Sequence, residues 1–120
     1  ISSSKIYKLT DDHTVIAKEI AEGRLTEKEA KKDPRRNVLL QCIGATSDVN
    51  PDMFCGEVKK GDILLLCSDG FRHEISEKEM LILLGRCESN KLNEMIKRLI
   101  SLNLRRNEQD NISAALVKVQ

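Results

Sequence analysis

One hundred and twenty residues suit one domain, or part of one, with a modest core. The charged fraction is 32% while the formal net charge is only +1, which excludes a long-range field directed at nucleic acid or an anionic membrane. An aromatic content of 2% with no Trp excludes base-stacking surfaces and an aromatic-anchored interface.

No apolar run reaches the length of a membrane-spanning helix, and no basic-then-apolar leader opens the chain, so a soluble, cytoplasmic protein is expected. Ile1 in place of Met, followed by Ser2-Ser3-Ser4, reads as a cut or an internal boundary. Cys42, Cys55, Cys67 and Cys87 form no Cys-x-x-Cys pair, which disfavours zinc, and they are read as buried free thiols.

In chain order, Lys5 to Leu9 alternates as a short strand. Asp11-Asp12-His13-Thr14 opens an amphipathic helix with Val15, Ile16 and Ile20 on one face and Gly23 as its stop. The aspartates there are read as helix caps rather than metal ligands. A second short helix follows from Thr26, with Thr26 and Glu29 as a capping box and Asp33-Pro34 as its end. Arg36 to Ile43 is read as a strand, with a helix as the alternative, and Pro51 to Val58 as another strand.

Lys59-Lys60-Gly61 turns the chain into Asp62 to Cys67, whose continuous apolar run predicts a central strand buried on both faces. It stops at Ser68-Asp69-Gly70. Ser76 and Glu79 predict a capping box with Ile75 and Met80 as its staple, and that helix runs to Gly85. A longer helix spans about Ser89 to Leu104 on the spacing of Leu92, Met95, Ile96, Leu99 and Ile100. Asn111 to Val119 closes the chain as a strand. Neighbouring strands with grouped helices favour an α+β fold with antiparallel pairing.

Asp69 and Asp110 each lie where a strand meets a loop. If their strands are antiparallel neighbours, both carboxylates reach one edge of the sheet, an arrangement suited to Mg²⁺ or Mn²⁺. By spacing alone they are better explained as turn residues, with Gly70 supplying a positive φ. His73 has the chemistry of a general acid, but a lone histidine past a turn is commonly a surface residue, and it is given no role. Gly-x-Ser-x-Gly, P-loop and His-Glu-x-x-His patterns are all absent from the sequence, so no catalytic side chain is assigned.

Several segments resemble the phosphatase 2C family, bacterial type. They are Leu9 to Thr14, Thr26 to Ala30 with Asp33 to Leu39, Gly61 to Phe71 around Ser-Asp-Gly, and Asp110 to Ser113 with Asp-Asn. They stand in the family's order over nearly the whole chain. The resemblance implies that residues 1–120 are a C-terminal fragment of a phosphatase 2C-like catalytic domain, with its flap insert at about 15–36. The implied fold is a partial α-β-β-α sandwich of antiparallel sheets with flanking helices.

The implied reaction is hydrolysis of phosphoserine and phosphothreonine in proteins by a metal-activated water, on substrates of a serine/threonine kinase. Asp69 and Asp110 would hold Mn²⁺ or Mg²⁺, of which the complete domain has two or more. The family's earlier motifs have no counterpart here, including its metal-bridging aspartate and its early arginine. The fragment alone is therefore expected to be inactive, to bind metal weakly or not at all, and to self-associate through uncovered strands. The family's Gly-rich approach to Asp-Asn is replaced by Asn107-Glu108-Gln109. The alternative is a non-catalytic binding or regulatory module on the same scaffold.

Overall fold

The structure, a computed structural model, describes residues 1–30 and 32–120. It divides into two compact units, one of Lys8–Cys55 and one of Ile1–Tyr7 with Gly56–Gln120.

In the first unit, α1 (Val15–Ala21) begins where Thr14 turns from extended backbone and its Oγ1 accepts from the Ala17 N–H at 3.1 Å. The cap is thus Thr14, not the aspartates before it. Asp11 instead pairs with Lys8, and His13 Nε2 lies 2.8 Å from Asp52 Oδ2. Thr and Asp compete for the same N–H, and the residue whose backbone makes the turn wins. Gly23 follows with φ 71, as its role as stop requires. The helix α2 (Glu27–Ala30) carries the expected reciprocal bonds between Thr26 and Glu29. Arg35 grips Glu19 and Asp33 together, so its guanidinium is spoken for as a structural clamp.

The expected strands at Lys5 to Leu9, Arg36 to Ile43 and Pro51 to Val58 do not form. Among the described residues these segments reach no ladder beyond isolated bridges from Leu39 to Thr14 and from Ile43 to Thr46. Strand propensity becomes a strand only where another strand takes up the backbone donors and acceptors.

In the second unit, β1 (Ile63–Cys67) pairs antiparallel with β2 (Ala114–Lys118), in register from Ile63 with Lys118 to Cys67 with Ala114. The other edge of β1 meets Ile1, which exchanges bonds of 2.8 and 2.9 Å with Ile63. Ile63 and Leu65 face the core, while Leu66 is 62% exposed, so the expectation of burial on both faces fails. An apolar run states what a strand could bury, not what is there to cover it.

Behind the sheet lie α3 (Asp69–Arg72), α4 (Glu77–Leu84) and α5 (Leu92–Arg105), the last preceded by a 3₁₀ turn over Ser89–Lys91. The capping box of Ser76 with Glu79 is present, and Ile75 and Met80 are both buried beside it. Phe71, Leu84 and Leu99 are fully buried in the core between these helices and the core face of β1. None of the four cysteines is in a disulfide, and only Cys87 is buried; Cys42, Cys55 and Cys67 are exposed. Cys67 lies at the strand end, where the sheet runs out of cover. Among the described residues no helix is long and apolar enough to cross a membrane. The expected α+β class with an antiparallel sheet is borne out.

Candidate functional site

Antiparallel register puts the end of β1 opposite the start of β2, since Cys67 faces Ala114. Asp69 follows one and Asp110 precedes the other, so both belong to the same sheet end. Ser68 ties the two loops. Its N–H donates to Ser113 O at 2.9 Å, its Oγ accepts from the Ser113 N–H at 3.1 Å, and the hydroxyl donates to Asn111 O at 3.1 Å.

Gly70 closes the approach. A Cβ built there would stand 2.6 Å from the Asn111 carbonyl oxygen and 3.1 Å from Asp110 Cβ. Its glycine is required by this contact and not by a positive φ, because Gly70 lies in α3 rather than in a left-handed turn. The sequence expectation of a Ser-Asp-Gly turn is corrected accordingly: Ser68 is the N-cap and Asp69 the first helical residue.

Each aspartate engages one oxygen locally. Asp69 Oδ1 accepts from the Gly70 N–H at 2.9 Å, and Asp110 Oδ1 accepts from the Asn111 N–H at 2.7 Å. Both residues are exposed, and beyond these local bonds Asp69 Oδ2 has His73 Nε2 at 4.0 Å, too far for a hydrogen bond.

Two residues that sequence reasoning left without a role stand beside them. Glu108 Oε1 accepts from the N–H groups of Gln109 and Asp110, both at 2.9 Å, and Glu108 Oε2 lies 3.2 Å from His73 Nδ1. The Asp110 N–H, and secondarily the His73 charge, hold the Glu108 carboxyl below its usual range against the opposing effect of burial. His73 Nε2 is 4.0 Å from Asp69 Oδ2. The signal in the sequence was the carboxylate two residues before Asp110.

Glu108 owes its place to the end of α5. Asn107 adopts φ 64, its N–H bonds Leu104 O at 3.2 Å, and the Glu108 N–H bonds Asn103 O at 3.2 Å. That pair of bonds is a Schellman motif with Asn as the left-handed residue.

The oxygen-only donor set of Asp69 and Asp110 fits a hard divalent cation as part of its coordination shell. Among the described residues no group of three or more His, Cys, Asp or Glu comes together to hold a metal. The fit is therefore to a cation whose other positions are filled by water or by further groups.

No family model matches the chain. Over 109 residues it is 38% identical to a protein of Streptococcus pyogenes described as phosphatase 2C-type, a match covering 91% of this chain and 44% of that protein. The S. agalactiae serine/threonine phosphatase superposes with a TM-score of 0.85 at 34% identity, over 93% of this chain and 46% of the other. The chain belongs to the phosphatase 2C family. It spans about half the length of the curated relatives it matches. The catalytic domain of the phosphatase PstP, solved in complex with two manganese ions, also matches, with a TM-score of 0.73 at 30% identity over 93% of this chain and 45% of that one. The expected partial phosphatase 2C fold is thus confirmed.

Proposed function

We propose that this chain forms part of a metal-dependent protein serine/threonine phosphatase, in which Asp69 and Asp110 are oxygen ligands to Mn²⁺ or Mg²⁺. The observation that supports the reading is the close approach of Gly70 to Asp110 and Asn111, which brings the segments that carry the two aspartates together at one sheet end. Relatives described as serine/threonine phosphatases, and a structural neighbour solved with manganese, support it.

When bound, such cations supply an activated water and neutralise charge developing on phosphorus. The chain's own contribution is positional. Ser68 fixes the spacing of the two loops, the Gly70 and Asn111 N–H groups orient the carboxylates, and the core behind α3 keeps the site from collapsing. The substrate class that goes with this reading is phosphoserine and phosphothreonine in proteins modified by a cytoplasmic serine/threonine kinase.

In the full-length protein assayed with Mn²⁺ on a phosphopeptide, Asp69→Asn and Asp110→Asn are each expected to lower turnover about 100-fold or more, in line with several kcal/mol of metal-borne charge stabilisation. Wild-type turnover in either variant would sink the assignment. The 120 residues alone, with two convergent carboxylates, are proposed to be inactive, and Asp69-dependent turnover by them would refute that. A non-catalytic binding module is the second reading, favoured by the lack of a three-ligand cluster among the described residues. Mn²⁺-dependent turnover by the full-length protein would exclude it.

A further inference from the structure

We propose that Glu108 is the positioning residue for Asp110, clamping the loop that carries it and tying that loop to α3 through His73. The inference rests on the metal-ligand reading above. It concerns the carboxylate two residues before Asp110.

Several observations converge on it. The Glu108 side chain is only 7% exposed, although Asp69 beside it is 48% exposed. A carboxylate so covered is costly unless its lone pairs are used. They are used on the site's own scaffold: one oxygen takes the N–H groups of Gln109 and Asp110, the other faces His73 Nδ1. Hydrogen bonds to an ionised acceptor are stronger than neutral ones, so the N-terminal side of Asp110 is firmly held.

His73 extends the tie. It stands just past the end of α3, as that helix's C-cap, and its second nitrogen faces Asp69 Oδ2 at 4.0 Å. Glu108 and His73 therefore bridge the element that begins with Asp69 to the loop that carries Asp110. A parallel brace lies beneath them in Asn103, fully buried, whose Nδ2 donates to Phe71 O at 2.6 Å while its backbone oxygen takes the Glu108 N–H. On the other side of Asp110 the chain is held by Ser68 at Asn111 O. Asp110 is thus fixed from both flanks, and Glu108 supplies the N-terminal one.

The test uses the full-length protein, with amide hydrogen exchange followed by NMR and Mn²⁺ binding followed by electron paramagnetic resonance. Glu108→Ala is expected to speed exchange of the Gln109 and Asp110 amides about tenfold, as loss of a charge-assisted hydrogen bond should. It is also expected to weaken Mn²⁺ binding about tenfold, the usual cost of losing an outer partner of a ligand. Glu108→Gln keeps an acceptor oxygen and should stay within about threefold of wild type on both readouts. Unchanged exchange and affinity in Glu108→Ala would overturn the proposal. Damage by Glu108→Gln equal to that by Glu108→Ala would overturn it too, since it would point to direct ligation.

Should Glu108→Ala fail to fold, Glu108→Gln decides with His73→Ala, which removes only the tie to α3. Exchange at Asp110 is then expected to rise about threefold, one modest hydrogen bond's worth, and no rise overturns the bridge. Asp110→Asn separates the two readings. If that variant binds Mn²⁺ like wild type, the ligand assignment fails, while the exchange data still decide whether Glu108 holds the loop.

Discussion

In Gly56–Gln120 seven apolar side chains, from Ile63 to Leu99, are buried in one cluster, whereas in Lys8–Cys55 the buried residues among those described are Ile16 and Ala30. The first region is held by a core. The second relies on helix caps at Thr14 and Thr26 and on the Arg35 clamp, and it leaves Leu39, Ile43, Met53 and Phe54 exposed. Exposed ion pairs contribute little to stability, so this region owes its order chiefly to local backbone bonds. The candidate site sits on the packed region, and the contrast shows why: carboxylates held to within a fraction of an ångström need a scaffold whose rotamers are locked by packing.

The sharpest way to break that contrast is Phe71→Ala. Phe71 is fully buried directly behind Asp69, and its loss should cost about 3–5 kcal/mol, read as a lower urea midpoint. A change below about 1 kcal/mol would mean that the core does not carry the site. Gly70→Ala comes next. Its methyl group would meet the Asn111 carbonyl oxygen, backbone that cannot simply swing aside, so a destabilisation of about 1–3 kcal/mol is expected together with weaker Mn²⁺ binding.

The two capping boxes offer a matched pair. Ser76→Ala should cost about 1 kcal/mol of global stability, because α4 is part of the core. Thr26→Ala removes the same kind of bond from α2 and should be visible in the exchange of α2 amides instead. Equal global losses would blur the distinction between the regions.

The smallest effect is pH-dependent. The Arg106 guanidinium first, then the Ser76 N–H and hydroxyl, hold the Glu79 carboxyl down to about 2 from an ordinary value of 4.5. A carboxyl lowered by folding stabilises above its unfolded value and loses that contribution as pH falls through its folded one. Melting temperatures of wild type and Glu79→Gln should therefore differ at neutral pH and converge between pH 4.5 and about 2. A difference that persists in full at the acid end would rule out this linkage.

Much of the fold could be read from local pattern. Both capping boxes, Gly23 as a stop and the amphipathic α5 were legible, because each depends on side chains within a few residues of the backbone they serve, and β1 and β2 were legible from their apolar runs. The strands expected at Lys5 to Leu9, Arg36 to Ile43 and Pro51 to Val58 were not, because a strand needs a partner remote in sequence. The same divide runs through the site. Asp69 and Asp110 were visible as carboxylates at strand ends, while Glu108 and His73 were not, since their roles depend on a contact spanning 35 positions that no local pattern encodes.

What the sequence determined by itself was the longer helices, the two strands that pair, the family, and the two aspartates that sit at strand ends. Tertiary structure alone decided that Gly70 serves a close approach rather than a turn, and that Asn107 bends the chain at the end of α5 so that Glu108 meets both the Asp110 N–H and His73. The physical reason is range. Caps and helical faces are settled by neighbours along the chain, but the position of a ligand is settled by whichever distant backbone packs against it.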